Sequence, residues 1–255
     1  MSSMRGKVAL VTGASGGIGL ATAIGFAERG AAVMLAARRS DELERAVREI
    51  TASGGEAAAI QTDVASSEQV QEMVDRTVGT FGRLDYAVNN AGIEGVPAEF
   101  VDFDEDEWDR VMNINLRGNF LCLKYQAKAM LACGHGGAIV NVGSVNSFLG
   151  FAGGAAYATS KHGQVALTSS ASAELAPKGI RVNIVCPGVI DTPMHRRLRG
   201  TFGDEAYDEI LSRVHSRRAG RPEEIASTIV FLCSDEASYL TGATITPDGG
   251  YLTTM

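Results

Sequence analysis

Tyr157 and Lys161 stand four residues apart in the run Tyr157-Ala158-Thr159-Ser160-Lys161. On a helix that spacing stacks a phenol and an ammonium on one face, one turn above the other. A phenol alone is a poor proton donor near neutrality, with an unperturbed pKa of about 10. A cation one turn away favours the phenolate and draws that value towards the range of a useful acid–base catalyst. An aromatic residue and a lysine at i,i+4 also occur on ordinary helix faces, so the elements around them decide the reading.

A second chemical signal comes early. Thr12 to Gly19 reads TGASGGIG, with Gly13, Gly17 and Gly19 framing Ser15 and Ile18. Residues 7–12 form a β-branched apolar run, and residues 17–29 carry Ile18, Ala21, Ile24 and Phe26 at helical spacing. The glycines therefore fall between a strand and a helix. There they allow a sharp turn and let backbone N–H groups approach a pyrophosphate at the helix N-terminus.

These residues need a scaffold, and the patterning supplies one. Further buried strands are expected at 31–37, 57–62, 84–88, 138–142 and 181–185, with a short last one at 244–246. Helices are expected at 41–53, 66–81, 104–133, 155–176 and 222–233. Ser66 or Ser67 is the expected cap of the third helix, and Pro222 opens the last at a favoured first-turn position. Residues 187–221 show no clear strand. Strict β/α alternation implies a parallel sheet covered by helices on both faces, wound through right-handed crossovers. One doubly wound α/β domain is expected over residues 1–255, with its ligand at the carboxyl ends of the strands.

Bulk properties narrow the function. The chain has 255 residues, 45% hydrophobic and 21% charged, and a formal charge of −7 without a basic face, which argues against a nucleic-acid partner. No apolar run reaches the roughly 18 residues of a membrane helix, and the N-terminus is too short and polar for a signal peptide. Cys122, Cys133, Cys186 and Cys233 are scattered without metal-ligand spacing. A cytoplasmic protein with no metal and no membrane partner is expected.

The motifs, taken together and in order, resemble those of the short-chain dehydrogenases/reductases over nearly the whole chain. Beside the Gly-x-x-x-Gly-x-Gly loop and the Tyr157/Lys161 pair stand Asn89-Asn90-Ala91-Gly92, Asn113-Ile114-Asn115 and Ser144, thirteen residues before Tyr157. Pro187-Gly188, Gly220-Arg221-Pro222-Glu223-Glu224 and Asp248-Gly249-Gly250 complete the set. The resemblance implies a Rossmann-type sheet of about seven strands and an oxidoreductase that moves a hydride between a nicotinamide cofactor and a ketone or secondary alcohol. It implies that Tyr157 is the general acid/base, that Ser144 orients the reacting oxygen, and that Lys161 lowers the tyrosine pKa and binds the nicotinamide ribose. Asn115 would hold a water that relays protons from Lys161 to solvent.

It further implies that Gly13, Ser15, Gly17, Ile18 and Gly19 cradle the cofactor, with Asp63 and Val64 at the adenine and Asn90 on the adenosine side. Ile190 and Thr192 would meet the carboxamide through backbone and hydroxyl. Aligned on the family, Ala37 occupies the end of the second strand, where an acid would select NAD; Arg38 and Arg39 follow it. Loss of the acid beside a guanidinium favours the 2′-phosphate of NADP, with NAD as the alternative. Gly16 counts against NADP, since many users of that cofactor carry a basic residue there.

The substrate is expected between the nicotinamide and two segments, 145–156 and a lid at 194–217. Phe148, Phe151, Met194, His195, Phe202 and Tyr207 are candidate apolar walls. Arg196, Arg197 and Arg199 are candidates for an anionic group, although solvated surface charge is the favoured reading of them. Ala166, Leu167, Ala171, Ala173, Phe120 and Leu123 are candidate contacts of a homotetramer, the assembly the resemblance implies. Two other readings remain: an NAD-dependent sugar or alcohol dehydrogenase, and a nucleotide sensor without chemistry. A sensor would be free to lose Ser144, Tyr157 or Lys161, all of which are present. Pro247 departs from the family pattern and removes a strand donor, so a short or edge-lying last strand is expected.

Overall fold

The computed structural model describes residues 3–254, apart from the side chains of Phe202 and Thr254. Strand β1 (Val8–Thr12) is fully buried and runs into the glycine turn. Helix α1 (Gly17–Glu28) follows, then β2 (Ala32–Ala37), α2 (Ser40–Ala52), β3 (Glu56–Gln61), α3 (Ser67–Phe81) and β4 (Tyr86–Asn89). The second half continues with α4 (Glu105–Met112), α5 (Gly118–Cys133), β5 (Gly137–Val142), α6 (Ala155–Leu175) and β6 (Ile180–Val185). It closes with α7 (Pro193–Phe202), α8 (Asp204–Arg213), α9 (Pro222–Cys233) and β7 (Thr244–Ile245).

The strands form one seven-stranded sheet in the order β3-β2-β1-β4-β5-β6-β7, and every pairing is parallel. The order reverses between β1 and β4, which opens a crevice at their carboxyl ends. Side chains alternate across the sheet and build two cores. Val11, Val33, Leu35, Val88 and Val140 pack with Phe26, Leu43 and Ile229 on the α1, α2 and α9 side. Leu10, Met34, Ala87 and Ile139 pack with Met73, Leu121 and Met130 on the α3, α5 and α6 side. The doubly wound α/β sheet expected from the alternation is the observed one.

Caps mark the helix starts. The Ser66 hydroxyl accepts from Gln69 N at 3.3 Å and opens α3, and Gly82 closes it in the left-handed region. Asp104 caps α4 in the same way, accepting from Glu107 N at 2.8 Å. Thr192 accepts from His195 N at 3.2 Å, with Pro193 in the first turn of α7.

Three boundaries differ from the sequence reading. The single helix expected over 104–133 is α4 and α5 joined by a π-turn at Asn113–Arg117. A wider turn of this kind inserts one residue into the ladder, and local composition does not announce it. Residues 187–221 contain α7 and α8, two short helices separated at Gly203. Strand β7 has only two residues. The Pro247 carbonyl still accepts from Gly188 N at 3.3 Å, but proline has no N–H to return and the ladder stops.

Candidate active site

The glycine turn sits at the open end of β1. Gly13 has φ +66°, and a Cβ there would come within 2.7 Å of the Asn90 amide nitrogen. At Gly19 a Cβ would lie 2.3 Å from the Gly13 carbonyl oxygen, so neither position admits a side chain. Asn90 locks the turn: its Nδ2 donates to the carbonyls of Thr12 at 3.1 Å and Gly13 at 3.2 Å. Its backbone N–H goes to Thr12 Oγ1 at 3.1 Å. The residue expected on the adenosine side therefore spends its amide donor on the loop.

Gly16, at the N-cap of α1, offers no side-chain cap, and the first turn holds no acid. The first N–H groups of that helix are thus left for an anion, with the helix dipole in support. They border a cleft of about 380 Å³ lined by Gly13, Ser15, Gly17, Ile18, Arg38, Asp63, Val64, Asn90 and Thr192. Three arginines (Arg38, Arg39 and Arg197) line it against a single carboxylate, Asp63. Asp63 Oδ1 accepts from Ala65 N at 3.0 Å and shapes the turn after β3. Thr62, also on the wall, is 2% exposed, and its hydroxyl has no partner among the described residues. An uncapped helix start, a glycine cradle and an orphaned buried hydroxyl fit a dinucleotide.

The arginines divide their work. Arg39 Nη2 donates to Ser15 Oγ at 2.9 Å, and Nη1 pairs with Glu42 at 3.3 Å. Among the described residues the Arg38 guanidinium has neither a hydrogen bond nor an ion pair, so it is the one available to a further phosphate. The side chain of Ile190 is buried in the core at 6% exposure. Any contact it makes with a ligand passes through its backbone.

The acid–base residues lie where β5, α6 and the π-turn converge. Tyr157, in the first turn of α6, faces the Ser144 hydroxyl beyond β5. Ser144 is itself held: its Oγ accepts from Asn146 N and its N–H goes to Ser147 Oγ, both at 3.2 Å. Lys161 is 5% exposed. Its Nζ lies 5.7 Å from the Tyr157 ring centre and donates to Val142 O at 2.9 Å and Gln164 Oε1 at 3.3 Å. Asn115 is fully buried in the π-turn. Its Oδ1 accepts from Ile93 N at 2.8 Å, while Nδ2 donates to Ile93 O at 2.9 Å and Ser160 Oγ at 3.1 Å.

On the phenol, desolvation and the lowering expected from Lys161 act in opposite senses. Burial pushes the Tyr157 phenol up to about 12, with the Ser144 hydroxyl opposing and Glu94 and Cys186 adding to the rise. Burial likewise pushes Lys161 down to about 8. Desolvation disfavours both charged forms. The phenol is protonated at neutral pH.

Across the mouth, Arg197 of α7 forms a bidentate pair with Glu94 at 2.8 and 3.2 Å. Arg196 pairs with Asp191 at 2.8 Å and Arg199 with Asp204 at 2.6 Å, so all three candidate anion binders carry a carboxylate partner. Phe151 meets Tyr157 edge to face at 6.4 Å between ring centres, and Met194 lines the cleft. Phe148 is exposed. His195 and Tyr207 pack on each other at 5.1 Å, joining α7 to α8. The side chain of Phe202 lies outside the described residues.

Of the candidate interface residues, Leu123 is 6% exposed and belongs to the core; Ala166, Ala173 and Phe120 are exposed; Leu167 and Ala171 are half-buried. Sequence reasoning passed over Thr62, Gln164 and the Arg197–Glu94 pair. No periodicity or motif singles them out.

Known proteins resemble this chain in sequence and fold. A family model described as "Enoyl-(Acyl carrier protein) reductase" matches residues 13–252. The 3-oxoacyl-[acyl-carrier-protein] reductase of Thermotoga maritima is 41% identical over 247 residues, covering 97% of this chain and 98% of its own. The cyclohexanol dehydrogenase of an Acinetobacter species is 40% identical over 245 residues, covering 96% and 94%. Among solved structures, one from Agrobacterium tumefaciens assigned as a 2-deoxy-d-gluconate 3-dehydrogenase, with bound NADP, superposes with a TM-score of 0.90. It is 40% identical and covers 98% of each chain.

Proposed function

The chain belongs to the short-chain dehydrogenase/reductase family and is an NAD(P)-dependent oxidoreductase acting on CH–OH groups, and on that premise we propose which residues do the work and in which direction. NADP(H), when bound, supplies or accepts the hydride. The α1 N-terminus and the glycine turn hold its pyrophosphate, Asp63 and Val64 flank the adenine, and Arg38 meets the 2′-phosphate. The Arg38 guanidinium, on the cleft wall and without a carboxylate partner among the described residues, supports the choice of NADP over NAD, and the NADP carried by a similar structure agrees with it.

The placement of Tyr157 and Ser144 side by side, with Lys161 Nζ 5.7 Å from the Tyr157 ring centre, carries the catalytic reading. A substrate oxygen seated between these two hydroxyls would receive two donors. As a carbonyl is reduced, negative charge grows on that oxygen, and preplaced donors stabilise it. Tyr157 then gives its proton, because an alkoxide is a much stronger base than a phenolate. Lys161 offsets the phenolate charge left behind. Ketone reduction uses the protonated phenol as its proton donor. Helices α7 and α8 form the lid of the substrate side, with the Arg197–Glu94 pair across its entrance. The protein acts in the cytoplasm as a homotetramer.

The test is a panel of ketones, 3-oxoacyl thioesters, enoyl thioesters, cyclic alcohols and sugar acids with both cofactors, followed by absorbance. NADPH-dependent ketone reduction is expected. Tyr157→Phe should lower it by about 10²–10⁴-fold while NADPH still binds, and retained turnover in that variant would refute the assignment. Arg38→Ala should weaken NADPH binding by roughly tenfold or more and leave NADH binding unchanged.

A further inference from the structure

Gln164 lies three residues after Lys161 in α6 and is 0% exposed. Its side chain spans the gap between two candidate catalytic residues. Nε2 donates to the Asn115 backbone carbonyl at 2.7 Å, and Oε1 accepts from Lys161 Nζ at 3.3 Å. Only one orientation of the amide makes both bonds, because a carbonyl oxygen can only accept and an ammonium can only donate. The orientation is therefore fixed, with oxygen towards the lysine. The same residue is tied to the sheet through its backbone. Its carbonyl accepts from Thr168 Oγ1 at 2.7 Å, and that hydroxyl accepts from Asn141 Nδ2 at 2.9 Å.

We propose that Gln164 is a positioning residue, which holds Lys161 in its ammonium form and ties that charge to the π-turn at Asn115. The proposal rests on the reading that Lys161 serves Tyr157. Two neutral oxygens, Val142 O and Gln164 Oε1, accept from Nζ; bonds of this kind favour the charged state of the donor. Few ionisable groups face the pair. Tyr157 comes from the same helix, and Cys186 follows directly on β6; Glu94, in the loop after β4, acts on Tyr157. Arg117 of the π-turn faces away, donating to Ala65 O at 2.8 Å and Asn113 Oδ1 at 3.1 Å. The Gln164 amide thus sets the charge at Lys161 with little competition. An amide also hands on no proton, so this link between Lys161 and Asn115 is a brace and not a relay.

The deciding measurement is an NMR titration of the full chain carrying ¹³C-labelled lysine, without added cofactor. The Lys161 signal is identified as the one lost in Lys161→Met. Gln164→Met keeps the volume and removes both bonds. The Lys161 midpoint should then fall by about one pH unit, and the rising limb of alcohol oxidation against pH should move up by a similar interval, roughly tenfold in rate at neutral pH. Gln164→Glu, which sets a carboxylate oxygen against the ammonium, should raise the midpoint, and it settles the question if the methionine variant does not fold. A Lys161 midpoint that stays put in a folded variant overturns the proposal, as does a uniform loss of rate with an unmoved limb. A wild-type protein that turns over no ketone or alcohol would sink the functional reading instead, and the lysine midpoint would still decide this one.

Discussion

The two faces of the sheet are built on different principles. On the α1, α2 and α9 side the packing is apolar, and Phe26 stacks on Tyr86 at 5.7 Å. Its buried polar groups satisfy chain ends. The Arg181 guanidinium donates to the carbonyls of Leu232, Cys233, Ser234 and Leu240, closing the end of α9. Asn183 serves Leu240 O and Ala243 N. On the α5 and α6 side, polar side chains bond mainly to one another. Asn89 and Asn141 are paired in register on β4 and β5, and their amides meet at 3.0 Å. Asn89 exchanges bonds with Gln126 at 3.0 and 2.8 Å, and Asn141 leads through Thr168 to Gln164 and Lys161. One face is a core that holds the fold. The other gives up apolar burial so that an ammonium can be kept in the interior, and such a seam is stable only if every member is satisfied.

The sharpest test lies on the apolar face. Phe26→Ala should cost about 3–5 kcal/mol of stability, read from denaturant unfolding, while the folded fraction keeps its rate and pH profile. A shifted profile would break the contrast between the faces. Next comes Lys161→Met, which should lower turnover about a hundredfold or more. It should also change how stability depends on pH. The folded pKa of Lys161 is lowered from 10.5 to about 8, so below about pH 8 the lysine is charged in both states and its burial opposes folding in full. Between 8 and 10.5 the unfolded chain holds a proton that the folded chain lacks, and stability rises with pH. That rise, amounting to about 3 kcal/mol, should disappear in the methionine variant.

Smaller effects follow within the seam. Asn141→Leu should cost about 2 kcal/mol by leaving Asn89 and Thr168 short of a partner, and it should disturb the pH profile where Phe26→Ala does not. The smallest concerns Asn119, one heptad before Gln126 on α5 and 4% exposed, whose amide oxygen and nitrogen have no partner among the described residues. Asn119→Leu should stabilise the protein by about 1 kcal/mol. A loss instead would mean that this amide belongs to the seam.

Much of this was legible beforehand, and the rest was hidden for physical reasons. Residues 7–12 and 17–29 announced a strand, a glycine turn and a helix because burial on a parallel sheet demands continuous apolar runs. Ser144, Tyr157, Lys161 and Asn115 were found by motif, and the fold brings them to the carboxyl ends of β4 and β5. The π-turn escaped because Asn113–Arg117 has helical composition, and one inserted residue leaves no period to count. Gln164 escaped because a single glutamine on a helix reads as solvated until its surroundings are known. The direction of the Tyr157 titration depends on how deeply its hydroxyl is enclosed, and spacing carries no such information. Segment 187–221 hid α7 and α8 behind Gly200, Gly203 and a density of charge.

The two-residue β7 also leaves one edge of the sheet with little free backbone. A parallel sheet ends in a row of unpaired backbone groups, and a long, flat terminal strand invites a neighbour's strand to add on. Here the terminal ladder has two rungs, Ile184 with Thr244 and Val185 with Ile245, and proline at 247 forbids a third. The departure that interrupts the family pattern therefore guards this edge: the sheet has too little of it left to template aggregation.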